Sequence, residues 1–246
     1  MKKKLLQNHA KSLHKPGHES HKCKGESMKY TIGIIGGTGK EGSGLAYRWA
    51  LAGHKVIIGS RQVEKALAAV ETLREKIGEQ EVDLSGMSNA EAVKACDIAV
   101  LTVPFAVHAS TLEGLKEELQ GKLLIDVCVP LVPPKVSKVQ MPPEGSAALQ
   151  AKAILGPDVQ VVDAFQTIAF EHLLSDEEIN CDVLVAGGNK EAREIVIALS
   201  EDIGLKAWDA GVIENTVVVE GLTSILIGLN MKYQVPSSGI RITGIE

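Results

Sequence analysis

The stretch that decides the fold is YTIGIIGGTGKEG, residues 30–42. Its first six residues are mostly apolar or β-branched, which is typical of a strand buried within a parallel sheet. Gly37, Gly39 and Gly42 then follow with the G-x-G-x-x-G spacing, between this strand and a predicted helix. We expect Gly37 to permit a tight turn, Gly39 to let a pyrophosphate approach the backbone, and Gly42 to let helix and strand pack closely. The stretch predicts a dinucleotide-binding turn with a phosphate at the helix N-terminus, and a turn that serves packing alone is the alternative.

Strands and helices alternate along the rest of the chain. The hydrophobic pattern predicts strands over residues 30–35, 55–59, 81–87, 97–103, 122–127, 159–163, 182–186 and 206–209. It predicts helices over residues 39–51, 62–77, 89–95, 106–119, 146–155, 190–203 and 216–230. This alternation predicts an α/β fold, a Rossmann-type parallel sheet with helices on both faces and a smaller C-terminal lobe.

The domain boundaries are expected where the composition changes. A Pro-rich stretch, residues 130–143, separates the dinucleotide-binding domain, residues 28–140, from a C-terminal lobe, residues 141–246. We expect that lobe to complete the sheet and the second half of the site. Because the predicted helix 216–230 is apolar on most faces, we expect it to lie between lobes or between subunits.

The first 27 residues differ in kind from the rest. They hold seven of the 26 basic residues and two of the 31 acidic ones, together with His9, His14, His18 and His21. We expect a disordered basic and histidine-rich extension, with loose metal binding as the alternative. Without this segment the formal net charge changes from −5 to −10.

Composition excludes several classes of function. A formal net charge of −5 and 3% aromatic residues argue against nucleic-acid binding. No apolar run approaches the roughly 20 residues that a membrane helix needs. The cysteines, Cys23, Cys96, Cys128 and Cys181, lack metal-ligand or redox spacing, as expected of reduced thiols in the cytoplasm. We expect a cytoplasmic protein that binds small molecules, without a membrane or a metal site.

The end of the second predicted strand indicates which dinucleotide is bound. An enzyme specific for NAD carries an acidic residue there for the ribose 2′-hydroxyl, and this chain has Ser60 and Arg61 instead. Lys65 lies one helical turn beyond Arg61, on the same face. Two cations near a helix N-terminus are disfavoured by the dipole unless an anion binds, so the pattern favours the 2′-phosphate of NADP(H). Two solvated surface cations are the alternative.

The chemistry is expected where two further strands end. Thr102, Val103 and Pro104 follow one strand, and Val129 and Pro130 follow the next. We expect them to border the nicotinamide, since ligands of such sheets lie beyond the carboxyl ends of the strands. The sequence shows no nucleophile triad or carboxylate pair, and we interpret His108 and His172 as structural. An apolar site of this kind suits direct hydride transfer without a catalytic side chain.

Several segments together resemble the NADPH-dependent F420 reductases. They are residues 34–39 with Gly42, 59–61 with Lys65, 86–87, 95–102, 209–211 and 238–244. The resemblance covers about residues 30–245 and implies hydride transfer between NADP(H) and the deazaflavin coenzyme F420. It implies NADP-binding roles for Thr38, Gly39, Lys40, Glu41, Ser60, Arg61 and Lys65, with a nicotinamide-side contact at Val103. We also expect a homo-oligomer, a dimer.

One departure concerns the acceptor. Archaeal members have His-Thr-Ile-Pro where this chain has Gln-Thr-Ile-Ala, residues 166–169. We expect Gln166 to bind the deazaflavin by hydrogen-bonding a ring carbonyl through its amide, with Phe170 beside it. Lys135, Lys138 and Arg241 are the cations expected to meet the anionic tail of F420. Two alternatives stay open: an NADPH-dependent reductase of another acceptor, flavin or ferric iron, and a non-catalytic NADP-binding regulator.

Overall fold

A computed structural model describes residues 28–245, so the predicted extension 1–27 lies outside the described residues. The strands are β1 Thr31–Ile35, β2 Lys55–Ser60, β3 Leu84–Ser88, β4 Ile98–Leu101, β5 Leu123–Asp126, β6 Gln160–Asp163, β7 Asp182–Gly187 and β8 Lys206–Gly211. The helices are α1 Lys40–Leu51, α2 Val63–Ile77, α3 Asn89–Ala95, α4 His108–Gly114, α5 Ala147–Leu155, α6 Phe170–Leu173, α7 Lys190–Asp202 and α8 Thr216–Tyr233. These elements confirm the predicted α/β class.

The strands form one eight-stranded sheet in the order β3-β2-β1-β4-β5-β6-β7-β8. The chain reverses direction across the sheet after β3, so β1 and β4 lie side by side at the centre, with Ile32 paired to Ile98. Their carboxyl ends open a crevice, the place where open α/β sheets bind ligands.

The prediction of a parallel sheet is confirmed for β1 to β6 and wrong for β7. Strand β7 runs antiparallel to β6, pairing Val162 with Gly187, and β8 is again parallel to β7. A parallel return needs a long crossover, usually a helix that covers the sheet. Here the connection holds only the four-residue helix α6, which packs on α1: a Cβ at Gly44 would lie 2.6 Å from Leu173 Cβ.

Apolar residues cover both faces of the sheet, as predicted. On one face the Trp49 ring meets Phe165 edge-on at 5.6 Å, and its Nε1–H donates to the backbone oxygen of Leu199 at 3.0 Å. Helices α1 and α7 are therefore joined through one buried tryptophan. On the other face Leu112 and Leu119 belong to a second buried cluster.

The structure corrects one further prediction, the length of a helix, and leaves another, the domain boundary, untested. The predicted helix 106–119 is shorter, a 3-10 turn over Phe105–Val107 followed by α4, which ends at Gly114, a poor helix former. Residues after 140 supply β6, β7 and β8 to the same sheet, while the boundary at 140 itself stays a prediction. No helix in the described part of the chain is long and apolar enough to cross a membrane.

Candidate dinucleotide-binding site

The turn between β1 and α1 depends on Gly36 more than on Gly37. Gly36 has φ +74°, a conformation that favours glycine, and a Cβ there would lie 2.7 Å from Val103 Cγ1. Gly37 was expected to permit the tight turn, but its φ is ordinary. A Cβ at Gly37 would instead lie 3.0 Å from the backbone oxygen of Ile34, so this glycine serves packing. The adjacent glycine takes the conformation that the motif requires.

Gly42 has the packing role that its spacing predicts, and Gly39 leaves the open space that its predicted role requires. The nearest atom to a Cβ at Gly39 is the Gly36 oxygen at 3.6 Å, so the space above the turn is open to a ligand. A Cβ at Gly42 would lie 2.6 Å from Thr102 Oγ1, so helix and strand pack too closely for a side chain. Gly39 is also the N-cap of α1 and offers no side-chain cap, which leaves the first N–H groups of the helix for an anion.

A cleft of about 260 Å³ runs along this turn. The predicted site residues that line it are Thr38, Gly39, Ser60, Arg61, Lys65, Thr102, Val103 and Pro104. Sequence reasoning missed other lining residues, which are Gly36, Gln62, Asn89, Val107 and Thr111. The structure therefore brings the turn, the predicted phosphate-reading cations and the first strand end into one cleft.

The ribose end of the cleft is built on the junction of β2 and α2. Ser60 ends β2 and is buried, and its Oγ accepts the backbone N–H of Gln62 at 3.2 Å. Arg61 and Lys65 are exposed beside it, and no Asp or Glu among residues 28–245 lines this cleft. A ribose hydroxyl would meet no carboxylate here, whereas a 2′-phosphate would meet two cations.

Asn89 is the most informative of the missed residues. Its Oδ1 accepts the backbone N–H of Gly36 at 3.2 Å and so ties α3 to the glycine turn. Ser88 and Glu91 form a capping box that begins α3 at this point. The box is readable in the sequence and sets Asn89 at the carboxyl end of β3, which is the signal that could have found it.

Lys40 and Glu41 follow the turn but do not line this cleft. The Lys40 ammonium lies 4.5 Å from the centre of the Phe170 ring. Glu41 Oε1 is buried without a hydrogen-bond partner among residues 28–245. Burial and, secondarily, the charge of Glu171 raise the pKa of the Glu41 carboxyl to about 8. At pH 7 this carboxyl is therefore mostly protonated, and the NADP-binding roles expected of Lys40 and Glu41 stay a prediction.

Val129, Pro130 and Gln166 also lie outside the lining of the cleft. Val129 and Pro130 follow β5, where Cys128 donates its thiol hydrogen to the Val103 oxygen at 3.2 Å. These two residues therefore stand near the strand end that does line the cleft. Their contact with a nicotinamide stays a prediction.

Gln166 is held by protein groups through its amide nitrogen. Nε2 donates to the backbone oxygen of Asp126 at 2.8 Å and to the Asp163 carboxyl. Only the NH2 group of the amide is able to donate to the Asp126 carbonyl, so the orientation of the amide is chemically determined. Oε1 is buried with no partner in the described part of the chain. The expected donation from this amide to a deazaflavin carbonyl is therefore not available in this arrangement.

A buried polar cluster lies below these strand ends. His108 is fully buried, and its ring contacts Asp126 Oδ2 at 2.8 Å and Gln150 Oε1 at 2.9 Å. Burial alone would lower the pKa of His108, but hydrogen bonding to Asp126 and its charge outweigh burial and raise it. Burial, then Glu220, raises the pKa of Asp163 well above its ordinary value. His108 is thus part of the core, as interpreted from the sequence.

Cys128 completes this buried cluster. One potential ligand atom each from His108, Asp126 and Cys128 lies within 4.8 Å of the others. Burial and then Asp126 raise the pKa of the Cys128 thiol well above its ordinary value. His172, the other histidine considered, contacts Ser237 Oγ through Nε2 at 2.6 Å, away from the cleft.

Comparison with known proteins agrees with this geometry. Residues 31–130 match the family described as NADP oxidoreductase, coenzyme F420-dependent. An F420-dependent NADP reductase of Methanocaldococcus jannaschii is 40% identical over 222 residues, which are 87% of this chain and 99% of the relative. The chain belongs to the F420-dependent NADP reductase family. A second such reductase, of Methanothermobacter marburgensis, is 39% identical over 221 residues, 87% of this chain and 98% of the relative.

Two other similarities have lower sequence identity, one to a solved structure and one to a longer protein. A solved structure described as a putative F420-dependent NADP reductase from Arthrobacter sp. FB24 superimposes with a TM-score of 0.74, over 87% of this chain and all of the other. At 22% sequence identity it supports the fold alone. The rat metalloreductase STEAP3 is 27% identical over 192 residues, 78% of this chain but 36% of that protein.

Proposed function

We propose that this F420-dependent NADP reductase family member transfers a hydride between NADP(H) and coenzyme F420. The observation that carries the proposal is the single cleft in which Arg61 and Lys65 stand beside an open glycine turn, with Val103 and Pro104 at its other end. A dinucleotide laid along it has its 2′-phosphate at the cations, its pyrophosphate at the turn and its nicotinamide at the apolar end. The relatives at about 40% identity carry the same activity in their names.

The residues of the site bind and orient rather than react. Gly39 leaves room for the pyrophosphate, and the N–H groups at the start of α1 offset its charge. Val103 and Val107 give the nicotinamide end an apolar wall that excludes water. When bound, the dihydronicotinamide supplies a hydride from C4 to C5 of the deazaflavin, with one proton from solvent. No side chain of the cleft is needed as acid or base, since the coenzymes supply the chemistry.

A second candidate keeps the NADP site and changes the acceptor. Gln166 differs from the histidine expected at the acceptor side, and its amide is occupied by Asp126 and Asp163. The similarity to the metalloreductase STEAP3 covers most of this chain and favours flavin or ferric iron as the other acceptor to test. A regulator that binds NADPH without turnover is the non-catalytic alternative.

The experiment mixes the protein anaerobically with NADPH and F420 and follows the deazaflavin absorbance. We expect F420 to be reduced stoichiometrically with NADPH, without added flavin or metal. Rapid reduction of FMN or a ferric chelate with F420 left oxidised supports the second candidate. Tight NADPH binding with no turnover on any of the three acceptors supports the regulator.

We also infer that the protein is a homodimer in the cytoplasm. Helix α8 buries Glu220 and Ser224 but exposes Val218, Ile225 and Met231, an arrangement that suits a second apolar surface. Cys96, Cys128 and Cys181 are free, buried thiols, as is usual in a reducing compartment. The dimer is tested below.

A further inference from the structure

A second cavity adjoins the dinucleotide cleft on the α1–α2 side of the glycine turn. It measures about 490 Å³, and its polar lining residues are Thr38, Lys40, Ser43, Thr72 and Lys76. Thr38 lines both this cavity and the dinucleotide cleft. A ligand that extends past Thr38 therefore passes from one space into the other.

Two lysines define the charge of this cavity. Lys40 Nζ lies 4.5 Å from the centre of the Phe170 ring, and Lys76 Nζ lies 4.8 Å from that of Tyr47. Neither forms an ion pair within 4.0 Å among residues 28–245. An aromatic face holds an ammonium without neutralising it, so both cations keep N–H groups for an anion.

The carboxyl groups nearby do not neutralise this charge fully. Asp176 accepts a hydrogen bond from Tyr47 Oη at 2.5 Å. That bond and, secondarily, the charge of Lys76 lower the pKa of Asp176, so Lys76 acts on it from beyond ion-pair distance. Glu41, the carboxyl of the adjoining helix turn, has a pKa raised to about 8 and is neutral at pH 7.

Lys40 connects the cavity to the acceptor side of the site. Its ammonium rests on Phe170, the first residue of α6 and the residue expected beside the deazaflavin. The hydroxyls of Ser43 and Thr72 already donate to backbone oxygens, at 3.0 and 3.0 Å, so the two ammonium groups rather than these hydroxyls bind an anion. The walls thus combine two cations with the apolar residues Ala69, Leu73 and Leu174, which suits a ligand that carries anionic groups on an aliphatic chain.

We propose that the α1–α2 cavity binds the anionic tail of the deazaflavin acceptor, its phosphodiester and glutamyl carboxylates, through Lys76 and Lys40. The inference rests on the proposed function. It differs from the sequence expectation, which gave the tail to Lys135, Lys138 and Arg241, none of which lines this cavity. Lys76 is the specificity-determining residue, because it is exposed, lies outside the dinucleotide cleft and is free to change without disturbing the core.

The test is equilibrium binding by deazaflavin fluorescence, with the protein saturated with NADP⁺ so that no hydride transfer occurs. F420 is compared with a deazaflavin that ends at its ribityl group. We expect Lys76→Gln to weaken F420 binding about tenfold, the scale of one charge-assisted contact, and to leave the tail-less compound unchanged. Lys76→Arg should restore most of the affinity. Lys55→Gln, on an exposed residue at the start of β2, is the matched control and should change neither.

Each other outcome has a definite meaning. Equal losses for both deazaflavins in Lys76→Gln, or a loss in Lys138→Gln in place of Lys76→Gln, overturn the tail assignment. Equal wild-type affinities for F420 and the tail-less compound also overturn it, while turnover of either compound with NADPH leaves the proposed function standing. Failure of the wild-type protein to bind or reduce either deazaflavin overturns the proposed function and the inference together.

Discussion

Gly42 and Thr102 touch across the junction of α1 and β4. A Cβ at Gly42 would lie 2.6 Å from Thr102 Oγ1 and 2.8 Å from Gly37 Cα. Thr102 Oγ1 also donates to the Ile35 oxygen at 3.1 Å, so it is not free to move away. This contact fixes how closely the phosphate-binding helix approaches the sheet.

Gly42→Ala should therefore move α1 and weaken both the fold and cofactor binding. We expect a loss of about 1–3 kcal/mol in the free energy of unfolding, the usual effect of overpacking, measured by urea denaturation. The Kd for NADPH should rise in parallel. Gly114→Ala is the control, because a Cβ there meets nothing within 4 Å and should leave stability unchanged or slightly raised. Wild-type stability in Gly42→Ala would contradict the packing role.

Arg61→Ala should weaken NADPH and spare NADH. Arg61 lines the ribose end of the cleft, where no carboxylate of the described chain is present, so its partner is expected to be the 2′-phosphate. We expect a loss of about 1–3 kcal/mol in NADPH binding, the scale of a charge-assisted contact to an ion. NADH lacks that phosphate and is the internal control, with both constants taken from nicotinamide fluorescence titrations. Equal losses for the two cofactors would show that Arg61 does not read the phosphate.

The cleft was largely predictable because its signals are local. Strand and glycine turn are adjacent in sequence, and Arg61 with Lys65 follows the next strand, so the strand-helix-strand motif places them together. Thr111 enters the cleft only through the order of the strands, and nothing in its own neighbourhood indicates a ligand. For Asn89 the capping box that begins α3 is a local but indirect signal. Gly36 and Gly37 are neighbours, and spacing alone does not determine which adopts a positive φ.

Most strands and helices were predictable from the sequence, but the direction of every strand in the sheet was not. A buried apolar run indicates that β7 is a strand but says nothing of whether it runs with or against β6. The deciding feature is α6, four residues long, which was not predicted because so short a helix has no periodicity. The role of Gln166 was likewise hidden, since Asp126 and Asp163, which hold its amide, come from neighbouring strands.

Glu41 should make both stability and NADPH binding depend on pH. Its folded pKa of about 8 exceeds the ordinary value of 4.5, so the folded state keeps a proton that the unfolded state loses in this window. The free energy of unfolding should therefore fall as the pH rises from about 4.5 to 8, by on the order of 5 kcal/mol for the full shift. Above pH 8 the ionised carboxylate should also repel the pyrophosphate and raise the Kd for NADPH.

Glu41→Gln should reduce the pH dependence of stability and remove that of NADPH binding, measured by urea denaturation and by NADPH titration from pH 5 to 9. Glu75→Gln, which changes an exposed residue of α2, controls for loss of one negative charge elsewhere. An unchanged pH profile in Glu41→Gln would assign the dependence to other groups, Asp163 and Glu220 being the next candidates. Both have raised pKa values, and that of Glu220 is about 8.

The exposed face of α8 should carry the dimer contact. Ile225 is 52% exposed on the same helix as Val218, which is 68% exposed. Ile225→Glu should convert the dimer to a monomer, because an apolar interface does not tolerate an unpaired charge. Light scattering after size-exclusion chromatography gives the mass. Leu67→Glu, at a 50% exposed leucine of α2, is the control and should stay dimeric. A monomeric wild-type protein would contradict the assignment at once.

Gln166→Leu should separate a structural role from a ligand contact. Without the amide, the Asp126 carbonyl and the Asp163 carboxyl lose their shared donor inside the core. A buried polar group without a partner is destabilising by about 1–3 kcal/mol, so the urea midpoint should fall. The Kd for NADPH should stay unchanged, because Gln166 does not line the dinucleotide cleft.

The KM for F420 decides between the two roles of Gln166. If the amide serves the core alone, the KM for F420 in Gln166→Leu stays within about twofold of wild type once the protein is kept folded at low temperature. A large rise in that KM with little loss of stability would instead make Gln166 the acceptor contact expected from the sequence. Asp163→Asn is the matched variant: burial raises the pKa of the Asp163 carboxyl, and asparagine is the isosteric side chain that does not ionise. It keeps the oxygen that accepts from Gln166, and we expect near wild-type stability at pH 7.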